Sequence, residues 1–264
     1  MDLKLKGKRA FVSGSTAGIG FAVALGLARE GAEVVINGRS DKKVIDAIER
    51  IAGGTVGVRV SGIAADLGSG PGVDRLLSQL GNVDILVNNI GIFEPKPFLE
   101  ISDADWLRFF ETNVMSGVRL SRSLLPYMVE TAWGRIIFVS SESGLNIPTE
   151  MVHYGMTKTA QLAVSRGIAE SVAGTGVTVN AVLPGPTRSE GAIGFLEKVA
   201  TERGMDVKEA ETEVIRTLRP TSLLKRMATP EEVANLVVYL CGEPASATTG
   251  SALRVDGGVV RTIA

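Results

Sequence analysis

The sequence predicts an α/β fold, a seven-stranded parallel sheet flanked by helices, on three observations. Short apolar runs rich in β-branched residues alternate with helix-period segments along nearly the whole chain. Most of those runs are almost continuously apolar, as strands covered on both faces must be. Glycine supplies 31 of 264 residues with no periodicity, so many turns and close backbone approaches separate the elements.

The first strand is expected at 9–12 (RAFV), followed by a helix over 19–30. The second strand, 33–36 (EVVI), leads to a helix over 42–51. A third run, 56–63 (VGVRVSGI), precedes a helix over 72–80, and a fourth, 84–87 (DILV), precedes a long helix over 103–130. Ser102 and Asp105 mark the start of that helix as cap and third-position acid. The strand at 135–139 (RIIFV) feeds a helix over 151–173, and 177–183 (VTVNAVL) is the sixth strand. Thr229, Pro230 and Glu232 form a capping box before a helix over 230–240, and 251–255 (SALRV) closes the sheet. Right-handed crossovers between such units give one doubly wound, Rossmann-type domain over 1–264. One stretch breaks the rhythm. Between Leu183 and Pro230 there is no strand, and 190–219 reads as one or two amphipathic helices outside the sheet. An excursion this long predicts a helical substrate lid at about 186–226.

Composition narrows the function. Lys plus Arg total 28 against 29 Asp plus Glu, a formal charge of -1, so there is no global basic field for nucleic acid. The single cysteine, Cys241, and single histidine, His153, exclude disulfides and multi-ligand zinc sites, and no metal is expected. The start lacks an apolar signal segment and no apolar run approaches a membrane span of ~20 residues, which predicts a soluble, cytoplasmic protein.

After the first strand comes Ser13-Gly14-Ser15-Thr16-Ala17-Gly18-Ile19-Gly20, with glycines spaced G-x3-G-x-G. Gly14 permits a tight turn, Gly18 lets backbone approach a pyrophosphate, and Gly20 lets the helix pack on the strand. The helix that follows presents free N–H groups and the positive end of its dipole to an anion. At the end of the second strand, an acid would hydrogen-bond an adenosine ribose. Gly38 stands there instead and Arg39 follows, a guanidinium suited to a 2′-phosphate. NADP is therefore expected over NAD.

The chemistry falls on Ser141, Tyr154 and Lys158. Tyr154 and Lys158 are four apart, on one helix face about 6 Å apart along the axis. A nearby ammonium favours phenolate, so Lys158, with an oxidised nicotinamide nearby, is expected to lower the Tyr154 pKa. Tyr154 then exchanges a proton with a carbonyl or alcohol oxygen, and Ser141 polarises that oxygen by hydrogen bonding.

The set of motifs resembles the short-chain dehydrogenase/reductase family over roughly residues 6–258. The glycine turn is similar to the family's T-G-x-x-x-G-x-G, with Ser13 in place of Thr. Asn88-Asn89-Ile90-Gly91 resembles N-N-A-G, with Ile90 in place of Ala. Tyr154 to Lys158 matches Y-x-x-x-K, with Ser141 at the usual 13-residue spacing. Val255-Asp256-Gly257-Gly258 is similar to the V-D-G-G ending. The resemblance implies that Asn113 is a fourth catalytic residue, set in a distorted helix and tied to a bound water of the proton relay. It also implies cofactor contacts from Asp66 and Leu67 after the third strand, from Asn89 and Gly91, and from Pro184, Gly185 and either Thr187 or Ser189 after the sixth. It further implies hydride transfer between NADP(H) and a secondary alcohol/ketone pair, with a homotetrameric assembly. A 3-oxoacyl-carrier-protein reductase is the alternative, for which Arg188, Lys198, Arg203, Lys225 and Arg226 would supply a basic patch. A non-catalytic NADP(H) sensor is the other, although both Tyr154 and Lys158 are kept. His153 reads as a pocket-rim or packing residue, and Cys241 as buried and inert.

Overall fold

The computed structural model describes residues 1–55 and 57–263. The strands are β1 (Arg9–Val12), β2 (Glu33–Gly38), β3 (Val60–Ala64), β4 (Ile85–Asn88), β5 (Gly134–Val139), β6 (Val177–Pro184) and β7 (Ala252–Val255). All pair in parallel, in the order β3-β2-β1-β4-β5-β6-β7. This is the doubly wound sheet that the sequence predicts. The order reverses between β1 and β4, so the chain leaves these neighbours in opposite directions and a crevice opens at their carboxyl ends.

Alternation along each strand divides the core. Ala10 and Val12, Val34 and Ile36, Ile85 and Val87, and Ile137 and Val139 face one layer. There they meet Val23 and Leu27 of α1 (Gly18–Arg29), Val44 of α2 (Asp41–Gly53), and Val233 and Val237 of α9 (Pro230–Cys241). Phe11, Val35, Leu86, Ile136 and Phe138 face the other layer. That layer holds Val73 and Leu76 of α3 (Gly70–Leu80), Leu120 and Leu124 of α5 (Ser116–Glu130), and Ala169 of α6 (Val152–Ser171). Every strand residue of β1, β4, β5 and β6 but Arg9 is buried, which explains the unbroken apolar runs.

Two elements depart from the sequence reading, and a third resolves an alternative it left open. The third strand begins at Val60 rather than at 56, because its partner enters the sheet only at Glu33 and pairing starts with Val34↔Val60. Of the expected run, Val56 lies outside the described residues, and Gly57 turns the chain at φ +70°. The single helix expected over 103–130 is α4 (Asp103–Phe110) and α5, joined by a π-helical turn over Glu111–Met115. The 190–219 excursion forms two helices, α7 (Glu190–Arg203) and α8 (Val207–Leu218), packed through Leu196, Ile215 and Met227. Both expected capping boxes, at Ser102/Asp105 and Thr229/Glu232, are present. Among the described residues, no helix is long and apolar enough to cross a membrane, and no cluster of acids, His and Cys could hold a metal.

Candidate active site

The crevice at the sheet's carboxyl edge has a volume of about 470 Å³. Gly18, Ile19 and Gly20 line it from the start of α1, Asn89 and Gly91 from the end of β4, and Ser141 from the end of β5. Tyr154 and Lys158 enter from α6, and Pro184, Gly185, Thr187 and Ser189 from beyond β6. Phe195, Val214, Leu218 and Arg219 close it from α7 and α8.

The turn after β1 is held by hydroxyls and amides. Ser13 Oγ donates to the Val87 carbonyl and accepts from Asn89 N at 2.9 Å and Ile90 N at 3.1 Å, joining β1 to the loop after β4. The hydroxyl that Ser shares with Thr is what this junction uses. Asn89 Nδ2 donates to the carbonyls of Ser13 and Gly14, both at 3.0 Å. Asn37, buried at the end of β2, is an organiser that the motif reading missed. Its Oδ1 accepts from Gly14 N and its Nδ2 donates to Ile63 and Ala65 carbonyls. Gly18 sits at φ +55°, and a Cβ on Gly20 would lie 2.4 Å from the Gly14 carbonyl. Ala17 precedes α1 with no side-chain cap, so the first N–H groups of that helix stay open to the crevice. Open donors, glycine surfaces and a roomy crevice fit the pyrophosphate of a dinucleotide.

Other residues assigned to the cofactor lie outside this crevice. Arg39 and Asp66 are exposed. Gly14 and Thr16 are half-buried beside the turn, and Thr16 packs over Gly38, where a Cβ would come within 2.5 Å of its methyl. Ser15 and Leu67 have no exposed surface. Ser15 Oγ donates to the Val12 carbonyl, and Leu67 belongs to the core. These two therefore shape the strand ends from within.

At the catalytic end, Lys158 Nζ lies 5.7 Å from the Tyr154 ring centroid. It donates to the Val139 carbonyl at 3.0 Å and to Gln161 Oε1 at 3.2 Å. Burial pushes Lys158 down to about 7. Burial is also the main influence on Tyr154 and raises its pKa above the ordinary tyrosine value, with the Ser141 hydroxyl pulling down and Glu142 pushing up. The expected lowering by Lys158 is thus reversed among the side chains alone. Both groups are desolvated, and desolvation favours the neutral phenol over a phenolate–ammonium pair.

Asn113 sits in the π-helical turn, as the resemblance implies for its distorted helix. Its side chain is a brace. Oδ1 accepts from Ile92 N, and Nδ2 donates to the Ile92 carbonyl and to Thr157 Oγ1. Its carbonyl accepts from Gln161 Nε2. Gln161 therefore links the π turn to Lys158, a connection the sequence reading did not make. The signal was its place three residues after Lys158 on the same helix face.

Ser141 Oγ donates to Glu142 Oε2, and Glu142 Oε1 accepts from Arg219 Nε at 2.6 Å. Thr187 Oγ1 donates to the Gly185 carbonyl, and Ser189 Oγ caps α7, so both hydroxyls stand at the crevice. His153 is not a rim residue. It has no exposed surface, packs 4.0 Å from Phe109 and 6.0 Å from Trp106 between ring centroids, and burial pushes its pKa down. Cys241 is buried, and burial pushes its thiol up to about 12.

A parallel sheet of this order, with its glycine turn, and a Ser–Tyr–Lys set around one crevice define a dinucleotide-dependent oxidoreductase. The chain belongs to the short-chain dehydrogenase/reductase family. A family model described as enoyl-(acyl carrier protein) reductase matches residues 14–260. The chain is similar over its full length to the uncharacterized oxidoreductase YvaG of Bacillus subtilis, at 46% identity and 100% of both chains. It is 35% identical to a 3-oxoacyl-acyl-carrier-protein reductase of Aquifex aeolicus, over 98% of this chain and 100% of that one. It superposes with TM-score 0.93 and 34% identity on L-sorbose reductase from Gluconobacter frateurii complexed with NADPH and L-sorbose, covering 100% of both chains.

Proposed function

We propose that the protein transfers a hydride between NADP(H) and a secondary alcohol/ketone substrate, with Tyr154 as general acid and base. The observation that carries this reading is the crevice lined at once by the open start of α1 and by Ser141, Tyr154 and Lys158. The NADPH complex of the sorbose reductase supports the cofactor. The glycine turn, Asn89 and Gly91 hold the dinucleotide, with Pro184, Gly185 and Thr187 facing its nicotinamide end. Exposed Arg39 meets a 2′-phosphate where Gly38, packed under Thr16, leaves no acid. When bound, the cofactor supplies or accepts the hydride. Tyr154, held protonated by its buried setting, donates to the carbonyl oxygen, and in the reverse direction takes the proton back. Ser141 hydrogen-bonds the same oxygen. Lys158, fixed by Val139 and Gln161, offers its protons from a buried amine whose charge is easily given up. Asn113 keeps the loop after β4 against α6.

The helices over 186–226 act as the substrate lid, and the protein assembles as a homotetramer. A carrier-protein substrate is disfavoured by charge pairing. Arg188 is paired with Glu211, Arg203 with Glu213 and Arg226 with Glu232, while Lys225 donates to the Pro220 carbonyl. Three of the five cations of that patch, Arg188, Arg203 and Arg226, are thus neutralised by their partners.

The test is turnover of purified protein with NADPH on a panel of ketones. Tyr154→Phe should retain NADPH binding, read by fluorescence titration, and lose at least ~100-fold in turnover. Near-normal turnover refutes the role. Tight NADPH binding with no turnover of any carbonyl favours a sensor. Arg39→Ala should weaken NADPH roughly 10-fold or more and leave NADH unchanged, since one charge-assisted phosphate pair is lost. An unchanged ratio of the two affinities removes Arg39 from selectivity.

A further inference from the structure

Ser141 has one hydroxyl proton, and it goes to Glu142 Oε2. The same carboxylate oxygen accepts from Ser143 N at 2.6 Å and Ser143 Oγ at 2.9 Å, while Oε1 accepts from Arg219 Nε. Arg219 is committed on its other side, with Nη1 donating to Glu150 Oε1 at 3.0 Å and to the Leu218 carbonyl. Glu142 is 3% exposed and the Arg219 side chain 11%. All three charged residues line the crevice beside Tyr154. Two carboxylates face one guanidinium there, so the wall carries one negative charge in excess.

Ser141 cannot donate to Glu142 and to a substrate carbonyl at the same time. When its proton turns to the carbonyl oxygen, a buried carboxylate loses a donor, and an unmatched buried acceptor is costly. A simple ketone has nothing to restore that bond. A hydroxyl on the neighbouring carbon does, because it lies beside the carbonyl oxygen much as Oε2 lies beside Oγ. A substrate carboxylate in that place would instead meet the excess negative charge.

We propose that Glu142, clamped by Arg219, reads a hydroxyl on the carbon next to the reacting one, so that the substrate is an uncharged α-hydroxy ketone, or a vicinal diol in the oxidative direction. This rests on the hydride-transfer reading above and names its substrate class. Sites built to pair a substrate hydroxyl reject analogues lacking it by as much as ~10⁴–10⁵. Glu142 keeps three other donors, so about 100-fold discrimination is expected, the effect of one hydrogen bond to a charged group.

The experiment compares kcat/KM with NADPH for hydroxyacetone, fluoroacetone and pyruvate. Fluoroacetone is close in size to hydroxyacetone and intrinsically more electrophilic, but has no proton to donate. Hydroxyacetone should exceed fluoroacetone by about 100-fold and pyruvate by at least as much. Glu142→Gln, with folding checked by circular dichroism, should shrink the first ratio below about 10-fold. The wild-type comparison stands alone if that variant does not fold. Equal rates on hydroxyacetone and fluoroacetone, or a preference for pyruvate, overturn the assignment and leave hydride transfer intact. No turnover of these or any other ketone overturns both.

Discussion

Two buried groups, Lys158 and Tyr154, give the cofactor-free protein a distinctive dependence on pH. Lys158 titrates near 7 when folded and near its ordinary 10.5 when the chain is unfolded. Between those limits the unfolded chain binds the extra proton, so stability rises with pH across that window and the penalty is fully present below it. Tyr154 has a raised pKa in the folded state, so its contribution falls away only above the ordinary tyrosine range. The Lys158 effect is on the order of a few kcal/mol. Urea unfolding of wild type from about pH 6.5 to 9.5 should therefore show stability increasing, and Lys158→Met should flatten the slope. A wild-type slope equal to that of the variant contradicts burial as the cause. The identity of Ser141, Tyr154 and Lys158 was legible because helix spacing alone sets two of them on one face. Their proton affinities were not, since these depend on how completely α6, β5 and the helices α7 and α8 exclude water. Glu142, Asn37 and Gln161 were harder to read for a related reason: each also has a partner distant in sequence, Arg219, Gly14 and Asn113 in turn.

At the scale of elements, α8 is tied to the body of the molecule by two ion-paired guanidiniums, Arg188 through Glu211 and Arg219 at the helix end. Arg219, at the end of α8, bridges Glu142 after β5 and Glu150 in the short turn before α6. Arg219→Ala strips the buried Glu142 of its cation, and a loss of about 3 kcal/mol is expected, checked by urea unfolding at neutral pH. Arg219→Lys keeps the charge but cannot reach both carboxylates with one planar fork, so its stability should fall between those of wild type and the alanine variant. An alanine variant as stable as wild type would show that α7 and α8 are held by their other contacts instead. Strand and helix positions were read closely where pattern and partner agreed, as at β1 and α9. They failed where the apolar run outlasted its partner, at β3. The π turn was legible only through the resemblance, because residues 111–115 carry an ordinary helical pattern, and the bonds from Asn113 to Ile92 and Gln161 join it to other elements.

The whole molecule exposes apolar surface that its own fold does not cover. Leu99 is 94% exposed and Leu107 70%, with Phe98 and Phe110 nearby in the chain on and before α4. Burial of such residues by copies of the same chain agrees with the proposed tetramer. Light scattering should give about four times the 27.8 kDa chain mass, and a monomer mass would remove the assembly. Sheet order was legible as a class from the alternation of elements, but no pattern along one chain encodes which copy packs on which. The reversal of strand order between β1 and β4 has a further consequence. It ties the ligand to one rim of the sheet by topology, while the segment beyond β6 that roofs this rim adds no strand to it. New roofs can therefore be tried in evolution or by grafting without redrawing the frame, and reactant choice can drift while the hydride-handling machinery stays put.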